Sequence, residues 1–395
     1  MNISRLDKMK QKSMQFINKQ EWLDAKKQLE KQCKKFPKDF DSWYLLGAVS
    51  GQVNDIAAAE KYCKKALSIQ PEHAGALFNW GMALSKLGKL DEAAMAYEKS
   101  LSINPENPSA LYSLGNVYKD LSLHKKAIEY LKRSLEYAPD KAEALFSLGT
   151  IYVELENKDQ AIKYLQRSID ADPSTKIKAE YFLSSLTERK SANEHVKVLH
   201  DKHSDYFDEH LTKALGYKIP KILYDTYMLF VDNKAKDLDI LDLGCGTGLC
   251  GIEFYNISKK LIGVDISQGM IEKARLTGKY NELITDDINN YLANLNSKFD
   301  LIISADVFIY IGAIDKIITE CSRLLKDKGI MIFSVESIEG SDYRLRTSGR
   351  YAHSEKYIED LAVNANMSIK VSESTVIRKE HGVDINGTVF ILQKE

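Results

Sequence analysis

Leu238-Asp239-Ile240-Leu241-Asp242-Leu243-Gly244-Cys245-Gly246-Thr247-Gly248 is the stretch on which the reading of the fold turns. An apolar run of strand length reaches an acid at Asp242 and passes directly into glycines at three alternate positions. Glycine tolerates positive φ and lets a ligand approach the backbone closely, so this is a tight turn made for contact. The amides of such a turn, and of the helix after it, hold the anionic or polar end of a ligand. Alone, a glycine-rich loop is a weak signal. It gains weight from Ile262-Gly263-Val264-Asp265-Ile266-Ser267, where the next apolar run closes on an acid. An acid about twenty residues beyond the loop accepts hydrogen bonds from both hydroxyls of a ribose.

Outward from this point, short apolar runs alternate with helical stretches. They fall at 238–243, 260–265, 282–286, 299–304, 329–336, 368–376 and 383–393. This alternation predicts an open, mostly parallel α/β sheet of seven strands. No proline follows Pro220, which suits continuous elements. Counted from Gly244, the G-x-G-x-x-G spacing of a dinucleotide fold is missing, because Leu249 stands at its last position; Gly246, Gly248 and Gly251 keep that spacing, so the loop alone does not decide against an NAD-dependent oxidoreductase.

Asp242-Leu243-Gly244-Cys245-Gly246-Thr247-Gly248 followed by Gly263-Val264-Asp265-Ile266-Ser267 resembles the S-adenosylmethionine site of class I methyltransferases. The resemblance covers about 238–395 and implies a Rossmann-like fold with S-adenosyl-L-methionine as cofactor. It assigns Asp242 to the methionine amino group, Gly244, Gly246 and Gly248 to the loop beneath the methionine end, and Asp265 to the ribose. Ile266 would pack on the adenine, and Asp287 with Ile288 would meet its amino edge. Asp286 beside them leaves that register open by one. The end of the fourth strand would face the transferring methyl, which makes Asp306 and Tyr310 candidates, with helix capping the alternative for Asp306.

Methyl transfer asks the protein to align an acceptor and exclude water, and to take a proton from an oxygen or nitrogen acceptor. Asp306, Glu336 and His353 are the candidates for that proton. Tyr343-Arg344-Leu345-Arg346-Thr347-Ser348-Gly349-Arg350-Tyr351-Ala352-His353-Ser354 is dense in groups that hold a substrate. Arg350 would bind a carboxylate or phosphate, and Tyr351 lies beside it. Their structural alternatives are an ion pair for Arg350 and a helix cap for His353. Arg378, Glu380 and His381 read as a hairpin turn before the last strand.

The first half of the chain follows a different rule. Pro37, Pro71, Pro105, Pro139 and Pro173 stand 34 residues apart, as do Gly47, Gly81, Gly115 and Gly149. So strict a period means one helix–turn–helix unit copied along the chain. Segments beginning at Phe40, Ala74, Pro108 and Ala142 carry bulky apolar residues just before the glycine and an alanine twelve residues after it: Ala59, Ala93, Ala127 and Ala161. The pattern resembles the tetratricopeptide repeat over 40–173, with a degenerate copy before it and a capping helix at 176–189. The resemblance implies a superhelix with a groove that binds a protein or peptide. Tyr44, Phe78, Tyr112 and Phe146 recur at one position, either as a ladder facing that groove or as ordinary packing of the repeat.

The expected organisation is an all-α tetratricopeptide superhelix at 1–189, a helical lead-in or lid at 190–237 with Tyr206 and Tyr217 as lid residues, and an α/β methyltransferase domain at 238–395. The acids and histidines at 200–211 lack the spacing of a metal site and read as a wet helix face. With a net charge of −1 over 395 residues, nothing argues for nucleic acid as a partner. Five cysteines without paired spacing fit a reducing cytoplasm. No apolar stretch is long enough to span a membrane, and no signal core opens the chain. The reading is an S-adenosylmethionine-dependent methyltransferase whose repeats recruit a protein, with the acceptor a protein or a small molecule. The alternatives are a small-molecule enzyme using its repeats for assembly, and a cofactor-binding adaptor without catalysis.

Overall fold

The computed structural model describes residues 5–186, 218–232, 234–340, 342–380 and 383–395, without the side chains of 379, 380 and 383. The expected lid residues Tyr206 and Tyr217, the acidic stretch 200–211 and His381 lie outside them. The chain divides into two compact units: 1–151 with 166–173, and 152–165 with 174–395.

The repeat period becomes helix starts at Phe40, Ala74, Pro108 and Ala142, each opening a helix of 13 residues. Second helices follow at Ile56–Leu67, Leu90–Ile103, His124–Tyr137 and Lys158–Ala171. The periodic prolines lie just beyond those helix ends, where a residue that cannot donate to the preceding turn closes a helix. The glycines mark where paired helices touch. A Cβ at Gly47 would stand 2.6 Å from Cys63 Sγ, at Gly81 2.8 Å from the Tyr97 ring, and at Gly115 2.7 Å from Leu131. Each partner lies sixteen residues beyond its glycine. The four periodic alanines are buried beside them. The recurring aromatics are half-buried and reach forward in sequence: Tyr44 meets His73 at 5.0 Å between ring centroids, and Lys141 lies 4.8 Å over the Tyr112 ring. Packing between consecutive repeats, the plainer of the two readings, accounts for these contacts.

The second unit is built on one mixed sheet. Its strands are β1 (Leu238–Leu243), β2 (Ser258–Asp265), β3 (Glu282–Thr285), β4 (Phe299–Ser304), β5 (Leu325–Ser337), β6 (Tyr343–Leu345), β7 (Tyr351–His353), β8 (Met367–Glu380) and β9 (Val383–Lys394). The order runs β3-β2-β1-β4-β5, parallel throughout, with β7 and β6 continuing from the end of β5. β9 lies antiparallel to β5 and carries β8 on its far side. The seven expected strands are all present, and among the described residues the short pair β6 and β7, formed within the 343–354 segment, brings the sheet to nine.

Residues alternate between two apolar faces, as the pleat requires. Leu241, Leu243, Ile262 and Val264 belong to one core, and Ile240, Leu261, Leu301 and Ile303 to the other, on which helix Ile219–Phe230 packs. Strand order reverses between β1 and β4, and the crevice beyond the carboxyl ends at such a reversal is where open α/β sheets bind ligands. The glycine turn and Asp306 both lie there. One expectation is overturned: Arg378 does not occupy a hairpin turn but the buried part of the long strand β8.

Candidate active site

At the end of β1 the three glycines of the turn have φ of +67°, +53° and +95°, a region open to glycine at little cost. The amides of Gly244 and Cys245 donate to the carbonyl of Val264 at 2.8 and 3.0 Å, anchoring the turn to β2. A Cβ at Gly244 would run into Val307, whereas one at Gly246 would meet no protein atom within 4 Å. The turn is thus packed from below and open at Gly246.

Asp265 is buried, and each carboxylate oxygen accepts an amide: Oδ2 from Gly246 and Oδ1 from Ser267, both at 2.9 Å. Asp242 is 1% exposed. Its Oδ2 accepts from the Tyr280 hydroxyl at 2.6 Å, while Oδ1 is buried without a hydrogen-bond partner. Burial, reinforced by the charge of Asp265, pushes its carboxyl up to about 7 against the pull of the Tyr280 bond. Ile266 is half-buried and Ile288 buried nearby in the chain. Asp287 caps helix Ile288–Asn294, its Oδ1 accepting from Asn289 and Asn290, and Asp286 holds the Asn290 side chain.

A second polar group forms beyond β4. Asp306 has φ +61°, an uncommon conformation for a side chain larger than glycine, though one that aspartate tolerates better than most. Its amide donates to Ser334 Oγ at 2.9 Å. Its Oδ2 lies 3.3 Å from Arg378 Nη1, while Oδ1 is buried without a partner. Arg378 also grips Glu336 Oε1 through Nη2. Burial pushes the Asp306 carboxyl up to about 6, opposed by Arg378 and Arg350. Tyr310 is hydrogen-bonded to Arg350, and burial raises its hydroxyl. The loop carrying Arg350 is held by Tyr181, whose hydroxyl donates to the Gly349 carbonyl at 2.9 Å.

Asp306, Glu336, Tyr310 and Arg350 are therefore brought together around Arg378. His353 is not. It is 1% exposed, and its Nε2–H donates to the carbonyl of Gly312 at 2.8 Å. Its ring stacks on Tyr357 with centroids 5.8 Å apart, and burial pushes the imidazole down to about 4. Among the described residues it shares no hydrogen bond, ion pair or ring contact with Asp306 or Glu336, and its Nε2 ties β7 to the 311–312 turn. Tyr351 packs its ring 6.1 Å from that of Tyr343, over a glycine at 312 where a Cβ would lie 2.7 Å from both.

Tyr280 escaped the sequence reading, and Arg378 was read there as part of a hairpin turn. Arg378 follows a β-bulge between Val376 and Arg378, which leaves Ile377 and Arg378 both buried where strict alternation would expose one. Tyr280 sits in a short connection with no motif around it. Among the described residues, no cluster of acids, cysteines or histidines is arranged to hold a metal ion, and no helix is long and apolar enough to cross a membrane.

A family model described as a methyltransferase domain matches residues 234–375. Tetratricopeptide-repeat models match 40–73, 81–122 and 106–174. A ubiquinone biosynthesis O-methyltransferase of Pelagibacter ubique is 29% identical over 173 residues, 40% of this chain and 72% of that protein. A malonyl-(acyl-carrier protein) O-methyltransferase of Acetivibrio thermocellus is 34% identical over 125 residues, 30% of this chain and 42% of its own length. Several further relatives are spanned over about half their length. Among solved structures, a magnesium protoporphyrin IX methyltransferase of Synechocystis is 20% identical with a TM-score of 0.36, over 45% of this chain and 79% of that one.

Proposed function

We propose, from the premise that the chain joins a tetratricopeptide array to a class I methyltransferase domain, that it transfers a methyl group from S-adenosylmethionine to the oxygen of a small hydroxyl compound. Residues 238–395 would carry the chemistry, 190–237 the lead-in to it, and the repeats of 1–189 would engage a protein. The observation that carries the reading is Asp242 Oδ1, a carboxylate oxygen buried without a partner beside a glycine turn open at Gly246. A buried acceptor left unmade costs stability, so a site that keeps one has a donor to meet. An ammonium group is such a donor, and the same reading gives the ribose to Asp265, buried at the end of β2 against the same turn.

When bound, S-adenosylmethionine supplies a methyl group already activated by the sulfonium charge. Asp242 would hold the amino group, Gly244, Gly246 and Gly248 the carboxylate end, Asp265 the ribose, and Ile266, Asp287 and Ile288 the adenine side. Asp306 then acts on the acceptor. Its free Oδ1 takes the proton from the acceptor hydroxyl, and a carboxyl raised to about 6 is ionised at neutral pH yet basic enough to share a proton. Arg378 fixes Asp306 from behind, and Glu336 completes the charge on the guanidinium. Tyr310 and Arg350 would orient the acceptor, with Tyr351 beside them. The oxygen acceptor is favoured by the O-methyltransferases named above, both of which methylate oxygen.

Incubation of the full chain with S-adenosylmethionine labelled in its methyl group, together with a cell lysate, tests this. Label in the extractable small-molecule fraction, stable to mild alkali as an ether is, supports it. Label retained on protein would replace the small acceptor with a macromolecular one, and no transfer despite cofactor binding would leave a binding module.

A further inference from the structure

Tyr280 lies at the centre of the glycine turn although no motif marks it. Its ring occupies the space that three glycines leave: a Cβ at Gly263 would stand 2.9 Å from it, one at Gly248 3.2 Å, and one at Gly251 would overlap it. Gly251, one of the glycines spaced from Gly246 as G-x-G-x-x-G, is therefore explained by packing. The residue after Tyr280 pins it in place. Asn281 accepts from the Leu261 amide at 2.7 Å through its side chain and donates its own amide to the Leu261 carbonyl at 2.9 Å.

The Tyr280 hydroxyl has two partners. It donates to Asp242 Oδ2 at 2.6 Å and accepts from the Gly251 amide at 3.0 Å. That amide belongs to the first turn of helix Leu249–Phe254, where amides have no partner within the helix. The residue before this helix is Gly248, which has no side chain to cap it. One hydroxyl therefore caps the helix and satisfies one oxygen of the buried acid.

We propose that Tyr280 is a positioning residue for the amino group of S-adenosylmethionine: by clamping Oδ2 it turns Oδ1 of Asp242 towards the ligand and keeps that carboxylate ionised. The proposal rests on the methyl-transfer reading above. The titratable groups that face Asp242 are Tyr280, Asp265 at the end of β2, Cys245 in the turn and Cys250 in the helix, and none is a cation. The charge of Asp242 is thus supported by the tyrosine hydrogen bond and by whatever cation binds. Removing the hydroxyl while keeping the ring shifts the balance further towards the protonated acid.

The test is calorimetric titration of the full chain with S-adenosylhomocysteine between pH 6 and pH 9, comparing the natural protein with Tyr280→Phe. Because both proteins meet the same ligand, titration of the ligand's own amino group cancels in the ratio. The variant binds about five- to tenfold more weakly at pH 6–7, the scale of one hydrogen bond to a charged group, and the gap closes by pH 9. Asp242→Asn, of the same shape, binds weakly with no pH dependence of this kind, and adding Tyr280→Phe to it costs little more. A Tyr280→Phe loss equal at every pH marks a merely structural role and overturns the proposal, as does no loss at all. Should Tyr280→Phe unfold, a natural pH profile in Asp242→Asn overturns it equally. Failure of the natural protein to bind at any pH would instead defeat the methyl-transfer reading beneath it.

Discussion

Arg378 Nη1 and Asp306 Oδ2 stand 3.3 Å apart across 72 positions of sequence, joining the strand before last to the turn beyond β4. The guanidinium side chain is 2% exposed and shared with Glu336. Two buried carboxylates are thus held by one cation, and the geometry of Asp306 follows from it.

Removal of that cation takes the ion pair from both acids, leaving Arg350 as the remaining cation near Asp306. Arg378→Met lowers unfolding stability by about 3–5 kcal/mol, the cost of breaking a buried ion pair by deleting one partner. Arg378→Lys loses the fork geometry and falls between. Urea unfolding followed by circular dichroism measures both; a change below about 1 kcal/mol for the methionine variant contradicts the buried cluster.

On the proposed reading, Asp306 sets the pH dependence of turnover. With its carboxyl raised to about 6, kcat/KM rises with pH through a midpoint near that value as the base ionises. Asp306→Asn removes this limb and lowers kcat by about 10²–10⁴, the usual contribution of a positioned base. Binding of S-adenosylhomocysteine stays within about twofold, because the proposed role of Asp306 is on the acceptor. An unchanged limb in the asparagine variant would assign the proton to another group.

Two glycines of the turn separate ligand contact from packing. Gly246→Ala places its Cβ in open space at φ +53°, costing about 1–2 kcal/mol of backbone strain. It weakens S-adenosylhomocysteine binding by at least about tenfold, the worth of 1.4 kcal/mol, because the methyl occupies the ligand's side of the turn. Gly251→Ala overlaps the Tyr280 ring instead and is the more destabilised of the two, by about 1–3 kcal/mol beyond any strain. Thermal melts beside calorimetry show whether the losses divide this way.

His353, buried with a lowered pKa, bears on acid stability. Its folded value near 4 lies below the unfolded value of about 6.5, so the unfolded chain binds the proton first. Its contribution to stability is therefore whole above pH 6.5 and drains away as pH falls towards 4. Asp306 and Asp242 act in the opposite sense, since raised acids hold protons in the folded state and lose stability as pH rises from about 4 to about 6 and 7. His353→Asn thus removes part of the acid sensitivity between pH 6.5 and 4 and leaves the midpoint of kcat/KM in place. Collapse of turnover with a lost limb would return the base role to His353.

Much of this was legible because it depends on period and on glycine. The step of 34 residues becomes helix starts at Phe40, Ala74, Pro108 and Ala142 without adjustment, since each repeat is one local unit. The turn at 244–248 and the acids Asp242 and Asp265 are likewise local to two strands. Arg378 was not legible, because a bulge breaks the alternation from which its direction would be read. Tyr280 was hidden for a different reason: its role is to fill space left by Gly248, Gly251 and Gly263, and complementarity between a ring and three missing side chains leaves no spacing to find. The engagement of His353 was not legible either, because a histidine in a polar segment does not announce that its Nε2 is spent on a backbone carbonyl.

The most direct test of the account is equilibrium binding of S-adenosylhomocysteine to the full chain and to its Asp265→Ala form, with NADH as the competitor. One molecule binds per chain, the alanine variant loses at least about tenfold, and NADH does not displace the ligand. Tight binding of NADH, or equal affinity in the two proteins, would contradict it.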